Sequence, residues 1–322
     1  MLLPMLNWIV IGIGDIATRR VIPAIQAEPR SRLYGLVTRD PAKAAPYNTH
    51  TWTSLNEALT DSAVQAVYVA TPVFLHAPLT IQSLGAGKHA LCEKPMAMNE
   101  AEARSMVQAA EESGRTLGVA YYRRTYPKVH RAKQLLDAGA IGKPVLAELT
   151  SHGWFDEKEF KGKSGDRSWL IDPAKAGGGP LYDIASHRID VLNFLFSQPQ
   201  RVSAHLSNAV HHYGVEDNAT LIIDYAGGVR GIVDVRWHSK IKRDECRIRG
   251  TEGEIDLTPL NGPQLVYPGG RENLPPHANL HYSMIENFVD AVLNKAPLLA
   301  SGASSVWTDW VIEQARSKSG AN

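Results

Sequence analysis

Through residues 1–122, short apolar runs alternate with segments whose apolar residues recur at helical spacing. The stretches NWIVIGIG (7–14), RLYGLVT (32–38), AVQAVYVATP (63–72), KHALCEKP (88–95) and TLGVAYY (116–122) are apolar almost throughout. Strands of that kind are buried on both faces. Between them, DIATRRVIPAI (15–25) reads as a helix that Pro23 bends or ends. SLNEALT (54–60) reads as a short helix opened by Ser54, with Glu57 completing a capping box. LHAPLTIQSLGAG (75–87) is helical and stopped by glycine, and NEAEARSMVQAAEESG (99–114) is capped by Asn99 and closed by Gly114. The alternation predicts a parallel sheet with helices on both faces.

After residue 122 the rhythm changes. One helix (126–142) leads into longer strand-like segments at 144–154, 200–208, 218–228, 229–239 and 244–259, joined by turns such as Ala226-Gly227-Gly228. They predict a mostly antiparallel sheet. A charged loop (156–168) and an amphipathic helix after AGGG (176–179) interrupt them, and two helices (281–297, 304–317) close the chain. The fold class expected is α/β: an N-terminal Rossmann-type parallel-sheet domain over 1–122 and a C-terminal α+β domain over 123–322. The last helix, about 303–318, is able to pack back on the first domain.

Composition narrows the functions. Of the 322 residues 44% are hydrophobic and 21% charged, and the net charge is +1, with no basic run of the kind that binds nucleic acid. No stretch is apolar for long enough to cross a bilayer, so no membrane partner is expected. The opening MLLPMLNWIV lacks a basic n-region, which argues against a signal peptide. Cys92 and Cys246 form neither a disulfide framework nor a metal set, so no metal is expected and the cytoplasm is the expected compartment. A small-molecule ligand fits best.

Gly12, Gly14 and Ala17 make G-x-G-x-x-A after a strand and at a helix start. The first glycine permits the turn, the second lets backbone approach a pyrophosphate, and the small third residue lets helix and strand pack closely. The N–H groups around Asp15 and Ile16 then face the phosphates. The alternative is a structural glycine turn. A ribose-binding carboxylate usually follows the second strand; here the strand ends in Thr38, then Arg39. A guanidinium pairs with a 2′-phosphate, so NADP is the expected cofactor, with NAD as the alternative if Asp40 takes the ribose.

Lys94 falls at the carboxyl end of the fourth strand, where open α/β sheets bind ligands. Asp183, His187 and Asp190 are spaced to share one helix face, with Leu181, Ile184, Val191, Leu192 and Leu195 on another. A solvent-facing polar row is the plain alternative. Arg188 lies toward the apolar side, where it snorkels, pairs with a carboxylate, or extends a basic pocket suited to an acidic substrate. Trp154, Phe155, Arg167 and Trp169 flank the charged loop and either line a sugar site or simply pack.

The glycine loop, ATPVFLHAP (70–78), CEKPMA (92–97), GVAYYRRTYP (118–127) and GGGPLYDIASHRID (177–190), taken in order, resemble the glucose–fructose oxidoreductase/inositol dehydrogenase (Gfo/Idh/MocA) family. The resemblance runs from residue 7 to the strands near 260. It implies that Lys94 and Pro95 belong to a Glu-Lys-Pro motif whose lysine lies near the nicotinamide. Thr71, Pro72, His76 and Glu93 are then cofactor-site residues, Asp183 and His187 the acidic and histidine positions of a second motif, and Arg123 a lining residue of the substrate cleft. Trp169 and Arg188 are further expected substrate contacts from the reading of the residues themselves. The activity implied is hydride transfer between a nicotinamide and a secondary alcohol or ketone of a sugar- or polyol-like substrate. His187 is the expected general base, Lys94 a donor to the developing alkoxide, and Asp183 a holder of substrate hydroxyls. A trans-dihydrodiol or other non-sugar alcohol dehydrogenase is the alternative enzyme, and a silent cofactor-binding regulator the non-enzymatic one. The long strands of the second domain, with an apolar outer face, predict a homodimer or homotetramer.

Overall fold

The structure, a computed structural model, describes residues 5–156 and 167–318. Those residues divide into two compact units, one of 5–122 with 277–306, the other of 123–156, 167–276 and 307–318.

In the first unit six parallel strands stand in the order β3-β2-β1-β4-β5-β6. They are β1 (Leu6–Ile11), β2 (Ser31–Val37), β3 (His50–Trp52), β4 (Ala66–Val69), β5 (His89–Cys92) and β6 (Leu117–Val119). The order reverses beside β1, which creates the crevice where doubly wound sheets take dinucleotides. Strand β4 is buried at every position, as its unbroken apolar run requires. The helices are α1 (Ile22–Ala27), α2 (Leu55–Thr60), α3 (His76–Gly85) and α4 (Glu100–Ser113). Asn99 caps α4 by accepting from the Glu102 N–H at 2.9 Å, and Gly114 closes it in the left-handed region. The capping box expected at α2 does not form. Ser54 contributes only its carbonyl to the Ala58 N–H, and its hydroxyl makes no cap bond. Pro23 does not end its helix, which runs to Ala27.

The second unit opens with α5 (Pro127–Asp137) and contains β7 (Pro144–Trp154), α6 (Pro173–Ala176), α7 (Ser186–Phe196), β8 (Pro199–Ser207), β9 (Asn218–Tyr225), β10 (Arg230–Arg236), β11 (His238–Gly250), β12 (Glu254–Asp256), β13 (Gln264–Tyr267) and β14 (Gly270–Asn273). Its eight strands are ordered β14-β13-β12-β11-β7-β10-β9-β8, all neighbours antiparallel except β7 and β10. Burial alternates along the strands. Ala147, Leu149, Leu221, Ile223, Val233 and Ile248 point inward, and Gly231 leaves room for Leu192 of α7. The outward face is not the apolar surface expected. Arg201–Asp224–Arg230, Arg249–Glu148, Arg247–Asp256 and Arg236–Asp234 ion pairs cross it. Ile222 paired with Ile232 supplies an apolar centre among them.

Helix α8 (Tyr282–Asn294), one of two closing helices that by sequence could fold over either domain, stands with the first sheet. Its stripe of Met284, Ile285, Phe288 and Val289 joins Leu6, Trp8, Val10 and Ile25 in one core, with Phe288 and Trp8 ring centroids 5.1 Å apart. Gly118 leaves room for this packing, since a Cβ there would lie 2.9 Å from Leu91 and 3.0 Å from the Phe288 ring. Helix α9 (Gly302–Lys318) closes the described chain, divided between the units at Val306 and Trp307.

Candidate active site

The loop after β1 is built for close approach. Gly12 has φ +89°, and a Cβ there would sit 2.8 Å from the Ala70 carbonyl oxygen. Its N–H donates to Val37 O at 3.1 Å, which holds the loop on the end of β2. Gly14 has no atom within 4 Å of where a Cβ would be, the open space a phosphate needs beside a helix start. Ala17 is fully buried. Asp15 pairs with exposed Arg19 at 3.4 Å, and Ile16 is half-buried. From Ala17 to Val21 the helix widens into a π turn, the Ile22 N–H reaching Ala17 O. Pro23 accounts for it, because a proline has no N–H to donate and its ring crowds the carbonyl four residues back. These features fit a dinucleotide. So does Thr71, whose hydroxyl oxygen is buried with no hydrogen bond among the described residues.

At the end of β2 the Thr38 hydroxyl oxygen accepts the Asp40 N–H at 3.2 Å. The Asp40 carboxylate accepts the Ala42 N–H at 3.1 Å, capping the short turn Pro41–Lys43. Arg39 is exposed, with no side-chain bond to another described residue.

Pro72 leads into the turn that starts α3. His76 is only 1% exposed. Its Nδ1 lies 2.8 Å from Pro95 O and its Nε2 2.9 Å from Thr71 O. Burial holds its pKa below the usual histidine value, against the two carbonyls that favour the charged ring, so a neutral imidazole donates through one nitrogen. His76 thus sits between the loop after β4 and the loop after β5, with a backbone carbonyl facing each ring nitrogen. Lys94 is half-buried directly beyond β5, and the Lys94–Pro95 peptide is cis. Glu93, 8% exposed, turns inward. One carboxylate oxygen accepts from Tyr68 Oη at 2.7 Å and faces His281 Nε2 at 3.3 Å; the other accepts the Lys94 N–H at 3.2 Å. Burial alone would raise the Glu93 carboxyl, but bonds from His281 and Tyr68 hold it below the usual range. A carboxylate so enclosed is a support for Lys94 and offers little to a ligand.

In the second unit Asp183 is half-buried in a π turn, Leu181–Ala185, and His187 is 6% exposed in the first turn of α7. Gly177–Gly179 let this helix start tightly, since a Cβ on Gly179 would meet the Glu216 carbonyl oxygen at 2.0 Å. Glu216 caps the start, accepting the Gly179 and Leu181 N–H groups at 2.8 and 3.0 Å. The three-residue polar face expected does not hold. Asp190 is fully buried against Arg124, which donates through Nε at 2.9 and 3.0 Å. The π turn adds a residue to the first turn and shifts the helical phase of Asp183 relative to His187 and Asp190.

Arg123 and Arg188, 6% and 3% exposed, belong to one network. Arg123 Nε donates to Asn261 Oδ1 at 3.1 Å, the Asn261 amide groups donate to Asp244 Oδ2 at 3.1 and 3.2 Å, and Arg188 Nη2 donates to Asp244 Oδ1 at 3.1 Å. Arg188 thus takes the carboxylate-paired course. Trp169, half-buried in the turn Ser168–Ile171, takes no part in that network. Trp154 is 42% exposed, with the Lys240 ammonium 5.1 Å from its ring centre. Phe155 stacks on Trp237 at 3.9 Å. Most of the charged loop (157–166) lies outside the described residues.

Residues 6–121 match the oxidoreductase family NAD-binding Rossmann fold, and residues 129–256 match the GFO/IDH/MocA C-terminal domain. A 1,5-anhydro-D-fructose reductase of Ensifer adhaerens is 30% identical over 94% of this chain and 92% of its own length. The chain belongs to the Gfo/Idh/MocA oxidoreductase family. A second relative, the trans-1,2-dihydrobenzene-1,2-diol dehydrogenase of Mus musculus, is 31% identical over 69% of this chain and 64% of its own. Among solved structures, GenD2 from gentamicin A biosynthesis in complex with NAD is 26% identical, with a TM-score of 0.85 and coverage of 100% and 96%. As a Gfo/Idh/MocA oxidoreductase, the protein uses its first sheet for the nicotinamide dinucleotide. In the first unit Tyr68 and His281 hold Glu93, and in the second Glu216 and Asn261 hold the start of the Asp183 helix and Arg123. None was legible in the sequence, because each acts through a partner distant along the chain.

Proposed function

We propose that this oxidoreductase interconverts a secondary alcohol and a ketone on a sugar- or polyol-like substrate and prefers NADP. The relationship to a 1,5-anhydro-D-fructose reductase over nearly the full length of both chains carries the substrate class. The bound nicotinamide supplies or takes up the hydride. Gly12, Gly14 and the N–H groups of Asp15 and Ile16 hold the pyrophosphate, and Thr71 and Pro72 line the strand ends beside it. Lys94 donates a hydrogen bond to the oxygen on which charge develops, His187 takes or returns the hydroxyl proton, and Asp183 holds neighbouring hydroxyls. Arg123 and Arg188, fixed through Asn261 and Asp244, act on the substrate, with Trp169 as a further contact. Arg39 has no side-chain partner among the described residues and Asp40 is committed to the Ala42 N–H, which supports 2′-phosphate recognition. We further propose a homodimer or homotetramer through the outer face of the second sheet, where Ile222 and Ile232 sit among paired charges.

The relative that acts on trans-1,2-dihydrobenzene-1,2-diol favours a second reading, a non-sugar diol as substrate. One panel separates the two. 1,5-Anhydro-D-fructose, aldoses, polyols and the dihydrodiol are each assayed with both cofactors, following reduced-nicotinamide absorbance. Turnover confined to the dihydrodiol overturns the sugar reading.

A further inference from the structure

We propose that Asn279 and His281 form a brace that fixes the phosphate helix and the Lys94 loop against each other, making both positioning residues for the reaction. The proposal rests on the reading of Lys94 given above. Both residues lie in the segment that enters α8, far along the chain from the strand ends they touch. Asn279 Nδ2 donates to the carbonyl of Arg20 at 2.8 Å, inside the π turn that Pro23 imposes. Asn279 Oδ1 accepts the His281 N–H at 3.0 Å. His281, 2% exposed, reaches Glu93 Oε1 with Nε2 at 3.3 Å. The ionised carboxylate only accepts, so Nε2 carries the proton toward it. Glu93 in turn accepts the Lys94 N–H. An unbroken path of hydrogen bonds thus runs from a carbonyl of the phosphate helix to the backbone of Lys94, and every member belongs to the first unit. The Tyr122 ring packs against the His281 ring at a tilt of 35°, centroids 4.9 Å apart.

Neither residue needs to touch substrate. A buried hydrogen bond to a charged group sets where that group rests, and a displacement of about 1 Å at a reacting centre costs up to about a hundredfold in rate. If the brace sets Lys94, the loss at His281 appears in turnover; if it sets the phosphate helix, the loss at Asn279 appears in cofactor affinity.

The test compares Asn279→Ala, His281→Ala, His281→Gln and Lys94→Ala in the full chain. NADPH affinity is read by energy transfer from tryptophan to the reduced nicotinamide, and kcat and KM by turnover of the best sugar in the panel. Asn279→Ala should weaken NADPH binding about tenfold. His281→Ala should lower kcat about tenfold with the sugar KM within about twofold, and His281→Gln, which places an amide donor near Nε2, should recover most of it. A merely structural histidine gives no such recovery and no split between kcat and KM. Should His281→Ala fail to fold, Tyr68→Phe removes the other donor to the same carboxylate and should lower kcat severalfold; an unchanged kcat there overturns the proposal. Silence at His281 with severe loss in Lys94→Ala also overturns the brace while leaving the reading of Lys94 intact. Silence at Lys94 itself overturns that reading, whereas weakened NADPH binding in Asn279→Ala still supports the brace on its phosphate side.

Discussion

Lys94 and His187 carry the chemistry in this account, and each has an environment to match. Lys94 is half-buried on a loop held by His76 and Glu93, and His187 lies in a helix start capped by Glu216. Lys94→Ala and His187→Ala should each lower kcat by ~10²- to 10⁴-fold, the usual contribution of a proton-handling group, with cofactor affinity nearly unchanged. Steady-state kinetics beside NADPH titration checks this; losses below about tenfold at both sites refute the assignment. Arg39 bears on cofactor choice. A charge-assisted hydrogen bond contributes about 1.5–3 kcal/mol, so Arg39→Ala should raise the KM for NADP roughly ten- to a hundredfold and barely touch that for NAD. Thr38→Asp should reverse the preference. Titration calorimetry showing that the unmodified protein binds NAD more tightly than NADP would mean that Asp40 serves the ribose despite its cap on Ala42. Lys94 and Asp183 could be picked out from short motifs because their neighbours in sequence announce them. His281 could not, because 188 residues separate it from Glu93.

Strands β1, β2, β4, β5 and β6 were readable because strands covered on both faces are apolar at nearly every position. Strand β3 is three residues, His50–Trp52, with two of them exposed, and carries no such signal. The hairpin of β13 and β14 is four residues a side and largely polar in its second strand, so it too stayed hidden. The stripe on α8 was visible, but an apolar stripe fits either sheet, and only packing against Trp8 and Gly118 decides which. Strand β5 also carries a pH-sensitive anchor at its start. His89 Nδ1 accepts the Thr116 N–H at 3.0 Å, and burial, with Arg115 nearby, lowers its pKa to about 4. Between that value and the unfolded value of 6.5, the unfolded chain binds the proton first, so stability is lost as pH falls through this window. His89→Asn keeps an acceptor for Thr116 and removes the titration. Thermal midpoints compared at about pH 7 and about pH 4 should show the unmodified protein losing more than the variant; parallel losses would contradict it.

At the scale of the molecule, the division into a dinucleotide unit and a mostly antiparallel unit follows the change of hydrophobic rhythm near residue 122, while the return of 277–306 to the first unit does not. Among the described residues no helix is long and apolar enough to cross a membrane. The outer face of the second sheet carries rows of paired charges around Ile222 and Ile232, so association through it should be salt-sensitive. Light scattering at micromolar concentration with cofactor present should give a dimer or tetramer whose dissociation increases with salt, and a monomer under those conditions would remove the proposed interface. The central claim is hydride transfer between a nicotinamide and a sugar carbon, and it is tested most directly with NADPH deuterated at nicotinamide C4, on the side from which the hydride leaves. Mass spectrometry of the product from 1,5-anhydro-D-fructose, or from the best sugar of the panel, should find one deuterium at the new carbinol carbon; NADPH left unconsumed with every sugar, or a product without label, would contradict it.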